Sequence, residues 1–287
     1  MNPEQVAVLL IRCPDRPGIV AAISSFLFRH GANITDLDQH SSVDGPGTYF
    51  MRLEFQTQRL VVPLEELRAL FADQVARSFE MEWRLGRSSE RKRLAVLVSR
   101  HDHAMMEVLW QWQRGEIRAD VGMVISNHPD VGDAVRAMGV PFHHVPNSKD
   151  RRAEAEAEMM GLLEGRADLL VLARYMQIVS PALVDRWQGR IINIHHSFLP
   201  AFVGADPYRQ AYERGVKIVG ATAHYVTAEL DAGPIIEQDV ARVSHRNDVD
   251  DLKAIGRDLE RRVLARAVKW HCDDRVLIHG NKTIVFA

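Results

Sequence analysis

The chain is short of the features that usually betray a secreted, membrane-bound or nucleic-acid-binding protein. It has two cysteines in 287 residues, Cys13 and Cys272, too few and too far apart for a disulfide framework or a thiolate metal site. Its apolar runs are strand-length, as in Leu169 to Ala173, so no transmembrane helix is expected. Glu4 precedes a short apolar run that Arg12 ends, which does not read as a signal peptide. Charge of one sign is lacking too. Thirty-six Lys and Arg against 38 Asp and Glu leave a net charge of −2, the wrong balance for a surface held on nucleic acid or an anionic membrane. No Gly-x-Gly-x-x-Gly occurs, so no dinucleotide cofactor is expected. No two histidines stand at His-x-x-x-His spacing, and neighbours such as His143 and His144 diverge on a strand, so no metal is expected either. With 46% apolar and 26% charged residues, the chain reads as an ordinary globular protein, expected in the cytoplasm.

Its length exceeds the usual single domain, and the titratable residues divide it. Residues 1–90 carry 9 Lys and Arg against 12 Asp and Glu, and only two of the 13 histidines, His30 and His40. Chemistry near neutral pH is therefore expected in the second part. The polar stretch from Arg87 to Arg93 has no apolar period and reads as a linker. The expected division is 1–86, linker 87–93, and 94–287.

In the first part Val6 to Arg12 is an apolar strand, ended by Cys13-Pro14-Asp15-Arg16-Pro17-Gly18. Ile19, Ile23, Phe26 and Leu27 recur at helical spacing up to His30-Gly31. Asn33 to Ser42 and Thr48 to Phe55 read as strands around the turn Asp44-Gly45-Pro46-Gly47, Pro63 opens a second helix, and Met81 to Leu85 is a last strand. The order βαββαβ predicts a ferredoxin-like sandwich. Asp15-Arg16-Pro17-Gly18, with Gly31-Ala32-Asn33-Ile34 after the helix, resembles the ACT domain, a family of this fold. The resemblance implies a small amino-acid effector at a paired interface, with Asp15, Arg16, Pro17, Gly18 and Asn33 as candidate contacts, and hence a homo-oligomer. A glycine there lets backbone amides approach a carboxylate near a helix N-terminus. The plainer reading is a turn and helix start in a module that only dimerises.

In the second part continuous apolar strands (Leu94 to Ser99, Val121 to Ser126, Phe142 to Val145, Asp168 to Leu172, Arg190 to Ile194) alternate with helical stretches. That predicts an α/β domain with a Rossmann-like, doubly wound parallel sheet, its ligands at the carboxyl ends of the strands. Two more strands follow, Lys217 to Tyr225 and Pro234 to Val243, then a helix from about Asp248 to Trp270 with Arg and Glu on one face, and a closing hairpin around Gly280-Asn281.

Asn193-Ile194-His195 follows a buried strand directly. Alternate residues share a face, so Asn193 and His195 point together, an amide donor beside an imidazole. Such a pair suits acyl transfer: the amide stabilises an oxyanion while the imidazole moves a proton. It also suits a local cap. Thr227-Ala228-Glu229-Leu230-Asp231-Ala232-Gly233-Pro234 is a turn whose carboxylates can hold the imidazole or position a water.

Taken together, Asn193-Ile194-His195-His196-Ser197-Phe198-Leu199-Pro200, Gly220 to Val226 and Leu230-Asp231-Ala232-Gly233-Pro234-Ile235-Ile236 resemble the folate-dependent formyltransferase family in order and spacing. The resemblance implies Asn193, His195 and Asp231 as catalytic residues. It implies folate contacts at Tyr175, Met176, Gln177, Ile178 and Val179 and at Thr227, Ala228, Glu229 and Leu230. His224 is either a brace for the Asp231 loop or a plain buried histidine. The loop Ser99-Arg100-His101-Asp102-His103-Ala104-Met105 has no glycine, whereas the amine-formylating members cradle a phosphate there on a glycine-rich loop. His196-Ser197-Phe198 also matches the hydrolytic, deformylase branch. With the ACT-like part in front, the implied reaction is hydrolysis of 10-formyltetrahydrofolate to formate and tetrahydrofolate, balancing the one-carbon pool and supplying formate for purine synthesis. The folate is substrate, and no cofactor is implied. Arg100, His103-Ala104-Met105 and Asp206 depart from the family's usual residues. The rival readings are formyl transfer to an amine and a folate or amino-acid sensor without catalysis.

Overall fold

The structure, a computed structural model of the chain, describes residues 5–43, 47–200 and 207–287. The expected turn residues Asp44 to Pro46 and the departure at Asp206 lie outside the described residues. The chain separates into two compact units.

The first unit runs β1 (Val6–Pro14), α1 (Ile19–Arg29), β2 (Asn33–Ser41), β3 (Thr48–Gln56), α2 (Leu64–Phe71) and β4 (Glu82–Arg87). Its antiparallel sheet has the order β2-β3-β1-β4. Leu9 and Ile11 of β1 and Leu53 and Phe55 of β3 face the helices, which bury Ile23, Phe26, Leu27, Leu67 and Phe71 against them. By strand parity Leu10 and Phe50 point to the opposite face.

That opposite face is where the chain's end departs from the expected division. Residues 273–279 and 284–287 cluster with the first unit. There β12 (Val276–His279) pairs with β13 (Lys282–Val285), and Leu277, Ile284 and Phe286 pack on Leu10 and Phe50. Arg52, 1% exposed, donates from Nε to the Asp274 carbonyl (3.0 Å) and from Nη2 to that of Asp273 (3.2 Å), while Asp36 and Glu54 balance its charge. The expected linker is also shorter than its composition suggested. Arg87 ends β4, and Lys92 and Arg93 already belong to the next strand, where Arg93 grips Asp168.

The second unit comprises β5 (Lys92–Val98), α3 (His103–Gln113), β6 (Ala119–Ser126), α4 (Gly132–Ala137), β7 (Phe142–His144), α5 (Arg152–Leu163), β8 (Leu169–Ala173), α6 (Pro181–Arg186), β9 (Ile191–His195), α7 (Pro207–Glu213), β10 (Ile218–Tyr225), β11 (Ile235–Arg242) and α8 (Val249–Cys272). The seven-stranded sheet has the order β11-β10-β9-β8-β5-β6-β7. β5 to β9 are parallel, and β10 and β11 extend the sheet in antiparallel fashion. Leu94 to Val98 and Leu169 to Leu172 are buried on both faces, as their unbroken apolar runs require. The short helix α7, unread from the sequence, follows the 201–206 stretch. Among the described residues no helix is long and apolar enough to cross a membrane.

Candidate active site

β9 ends at His195, beside the antiparallel β10, and the register sets Asn193 opposite His224 and His195 opposite Thr222. Asn193 and His195 share a cleft with the 227–231 loop and the segment after β8. At His224 the pairing of β10 with β11 slips by one residue, a bulge of the kind that re-aims side chains beside a site. Thr222 Oγ1 fastens the exit from β9: it donates to the Ser197 carbonyl (2.9 Å) and accepts from the Leu199 amide (3.1 Å) and Gln238 Nε2 (2.9 Å).

The turn that carries Asp231 is built by backbone closeness. A Cβ on Gly233 would sit 1.8 Å from the Tyr225 carbonyl oxygen, so only glycine lets the chain return for the Tyr225 N–H to meet the Pro234 carbonyl at 2.9 Å. Asp231 itself has φ 54°, in the left-handed region that non-glycine residues adopt at a cost, commonly at functional sites. This aims its carboxylate inward, Oδ2 lying 3.3 Å from His195 Nδ1 and Oδ1 3.7 Å from His224 Nε2.

These contacts assign the protons. The hydrogen bond from His195 outweighs burial and holds Asp231 below the ordinary carboxylate range, so it is ionised and accepts from His195 Nδ1–H. His195 Nε2 is buried without a hydrogen-bond partner, on a residue that lines the cleft. Burial pushes His224 down, so it is neutral. Its Nδ1 donates to the Tyr225 carbonyl (2.9 Å), which leaves Nε2 to accept from Asn193 Nδ2 (3.2 Å). His224 therefore braces Asn193 and fixes which end of its amide is the donor, while its unprotonated Nε2 offers Asp231 no hydrogen bond. His196, pushed down to about 4 chiefly by burial, is neutral as well.

The candidate folate segment gathers at the same cleft. Tyr175, Met176, Gln177, Ile178 and Val179 line it from one side and Thr227, Ala228, Glu229 and Leu230 from another. Met176, Ile178 and Leu230 are 56%, 61% and 64% exposed, an apolar rim without a partner in the isolated chain. Tyr175 differs from the rest: its hydroxyl turns into the core toward Met159 Sδ. Ser99 Oγ accepts from the Met176 amide (3.0 Å) and donates to Asn127 (2.7 Å), seating the segment on β5. Among the described residues no three His, Cys, Asp or Glu groups are placed to hold a metal ion.

In the first unit the candidate effector contacts do not meet within one chain. Asp15 to Gly18 follow Pro14, which pairs with Thr48, whereas Asn33 pairs with Gln56. Those are opposite ends of the nine-residue β3, roughly 27 Å apart. Arg16 is already engaged by the Ser78 carbonyl (3.0 Å) and Glu80 (3.2 Å).

Sequence reasoning missed Arg174, Tyr208 and Glu260. Arg174, at φ 61°, lines the cleft, and its Nη1 lies 3.3 Å from Glu260 Oε2. No local pattern marks Glu260, a carboxylate in an Arg-rich helix that reads as solvated.

Comparison with known proteins gives two family matches: formyl transferase over residues 92–268 and ACT domain over residues 7–72. A formyltetrahydrofolate deformylase of Bacillus subtilis is 53% identical over 99% of this chain and 94% of its own. A solved formyltetrahydrofolate deformylase from Pseudomonas syringae superposes with a TM-score of 0.96 at 46% identity, covering 99% of this chain and 95% of that one. A glycinamide ribonucleotide transformylase from Symbiobacterium toebii superposes with a TM-score of 0.65 at 32% identity, over 69% of this chain and 95% of its own.

Proposed function

The chain belongs to the formyltetrahydrofolate deformylases, and on that premise we propose that Asn193, His195 and Asp231 hydrolyse 10-formyltetrahydrofolate to formate and tetrahydrofolate. The observation that carries the assignment is the free, buried His195 Nε2, backed at Nδ1 by ionised Asp231 and flanked by the Asn193 amide donor. The folate lies against Met176 to Val179 and Thr227 to Leu230, whose exposed apolar rim receives its ring system. Asn193 donates its second N–H to the formyl oxygen as that oxygen gains charge, the first being held by His224. Asp231, ionised and bonded to His195 Nδ1–H, stabilises the imidazolium. His195 Nε2 takes the proton of the attacking water and returns it to N10 as the carbon–nitrogen bond breaks.

Water as acceptor is supported by the glycine-free loop after β5, which has no ready nest for a phosphorylated amine. Formate release for purine synthesis and balance of the one-carbon pool follow as the cellular role, in the cytoplasm. The ACT unit binds a small amino acid. Because Asp15 to Gly18 and Asn33 lie at opposite ends of one sheet, the effector site takes them from two paired copies, which makes the working form a homo-oligomer. A ligand-dependent shift in rate or melting temperature across the amino acids tests that part. Flat profiles throughout would remove it.

The principal test is formate release by the full chain with no amine added, beside Asp231→Asn. Turnover that the substitution abolishes, with folate still bound, supports the assignment. Binding without formate from the native chain overturns it.

A further inference from the structure

The proposed chemistry leaves unused a second polar cluster, set behind the cleft. From β5 the chain winds out to β6 and β7, then returns to β8 and β9, so the topological switch point lies between the carboxyl ends of β5 and β8. A doubly wound sheet ordinarily receives a ligand in that crevice. Here protein occupies it. His103 follows β5, Arg174 follows β8, Tyr208 comes from α7, and all three converge on Glu260 of α8, which is 1% exposed. His103 Nε2 lies 2.8 Å from Glu260 Oε2, the Tyr208 hydroxyl donates to Oε1 at 2.9 Å, and Arg174 Nη1 lies 3.3 Å from both oxygens.

The cluster has two properties of a closure. It abuts the reacting groups: Arg174 and His196 line the cleft with Asn193 and His195, and the His196 ring lies 6.0 Å from that of Tyr208. Its carboxylate is also fully engaged, each Glu260 oxygen meeting two of its partners. Burial pushes the Glu260 carboxyl up, but the His103 bond, Arg174 and Tyr208 outweigh it and hold the carboxyl below its ordinary range. The pairing with Arg174 balances the buried anion, and any guest must break those pairs to enter. Backbone closeness locks the arrangement as well, since a Cβ on Gly256 would sit 1.9 Å from the Tyr208 hydroxyl.

We propose that Glu260, held by His103, Arg174 and Tyr208, determines acceptor specificity: it plugs the switch-point crevice against any nucleophile larger than water. The proposal rests on the hydrolytic reading of the cleft. With water, oxygen adds to the formyl carbon, the bond to N10 breaks, and N10 takes the proton. An amine R–NH₂ admitted in its place would give R–NH–CHO and tetrahydrofolate, its own proton passing to N10.

The test is the product ratio of the full chain supplied with 10-formyltetrahydrofolate and either methoxyamine or the bulkier O-benzylhydroxylamine, corrected for the reaction without protein. The native chain is expected to release formate, with formylated amine no higher than the detection limit, which sets the reference ratio. Tyr208→Ala and Glu260→Gln are expected to raise the ratio of formylated amine to formate by tenfold to a hundredfold, on the order of one pocket contact's discrimination. A merely structural role for the cluster would lower both products together. Folded variants that keep the native ratio overturn the proposal. If both variants fail to fold, the native chain decides: formylation of O-benzylhydroxylamine overturns the plug, and its absence at saturating amine supports it. Failure of the hydrolytic reading is distinct, because it appears as no formate from the native chain without amine.

Discussion

Two histidine–carboxylate pairs stand at the carboxyl edge of one sheet, and they differ in what each leaves unspent. His103 and Glu260 meet at 2.8 Å, and every remaining acceptor position of the carboxylate is taken by Arg174 or Tyr208. His195 and Asp231 are looser, at 3.3 Å, on a loop residue held at φ 54°, and His195 Nε2 is left with no partner. On the proposed reading, the same residue types make a closure in one place and a reactive site in the other. The engagement of the carboxylate and of its histidine separates them better than the residue types themselves.

The sharpest way to break this comparison is to exchange the costs. Asp231→Asn is expected to lower kcat/KM by roughly 10²–10⁴ by removing the group that supports proton transfer. Its melting temperature is expected to stay near native, since asparagine tolerates the left-handed region. Asn193→Ala is expected to lower kcat by roughly 10²–10³ through the lost oxyanion donor. Steady-state kinetics beside thermal melts check both. A large melting loss with little loss of rate would place Asp231 with Glu260 instead.

Glu260→Ala should behave in the opposite way. Removing one member of a buried, charge-paired set costs about 3–5 kcal/mol, a fall of about 10 °C in a domain of this size. Urea or thermal unfolding reads it. A native melting temperature would show that the cluster is solvated and the contrast false.

How far the contrast was legible beforehand follows from the range of the contacts. Strand parity put Asn193 and His195 on one face, because that alternation is local, and Gly233-Pro234 marked the turn that aims Asp231. The helices and strands were readable for the same reason: Ile19, Ile23, Phe26 and Leu27 state a helical period outright. Glu260 was not legible, since its partners come from α3, α7 and the end of β8, and a lone Glu among arginines carries no sign of burial. Nor was the return of residues 273–279 to the first unit, which depends on Leu10 and Phe50 needing cover on the face away from the helices. The distance between Asn33 and Gly18 was not legible either, since they are near along the chain and at opposite ends of the sheet.

His224 tests the reactive side more finely. It acts through its hydrogen bond to Asn193, so it is a positioning residue. His224→Ala frees the Asn193 amide and is expected to lower kcat by about tenfold, the equivalent of one hydrogen bond, with KM little changed. His224→Gln, which can still present an acceptor, is expected to recover part of that loss. Equal rates for the two variants would remove the claim that His224 sets the direction of the Asn193 amide.

The smallest expected effect comes from a third carboxylate, placed where neither closure nor reactivity is at stake. Asp168 accepts from the Arg93 side chain at 2.7 Å and 3.0 Å and from the Arg93 amide at 2.9 Å, in a pair that is about two-fifths exposed. The Arg93 hydrogen bond is the chief cause holding Asp168 below its ordinary value. A carboxyl depressed on folding stabilises the native state above its unfolded pKa, about 3.9, and loses that stabilisation as the pH falls through its folded value. Asp168→Asn should therefore melt slightly below native at neutral pH, and the two curves should converge under acid. Solvent screens such a pair, so its shift is expected to be far below that of Glu260→Ala. A shift as large as that one, or one that grows under acid, would mean that burial does not divide the strong pair from the weak one.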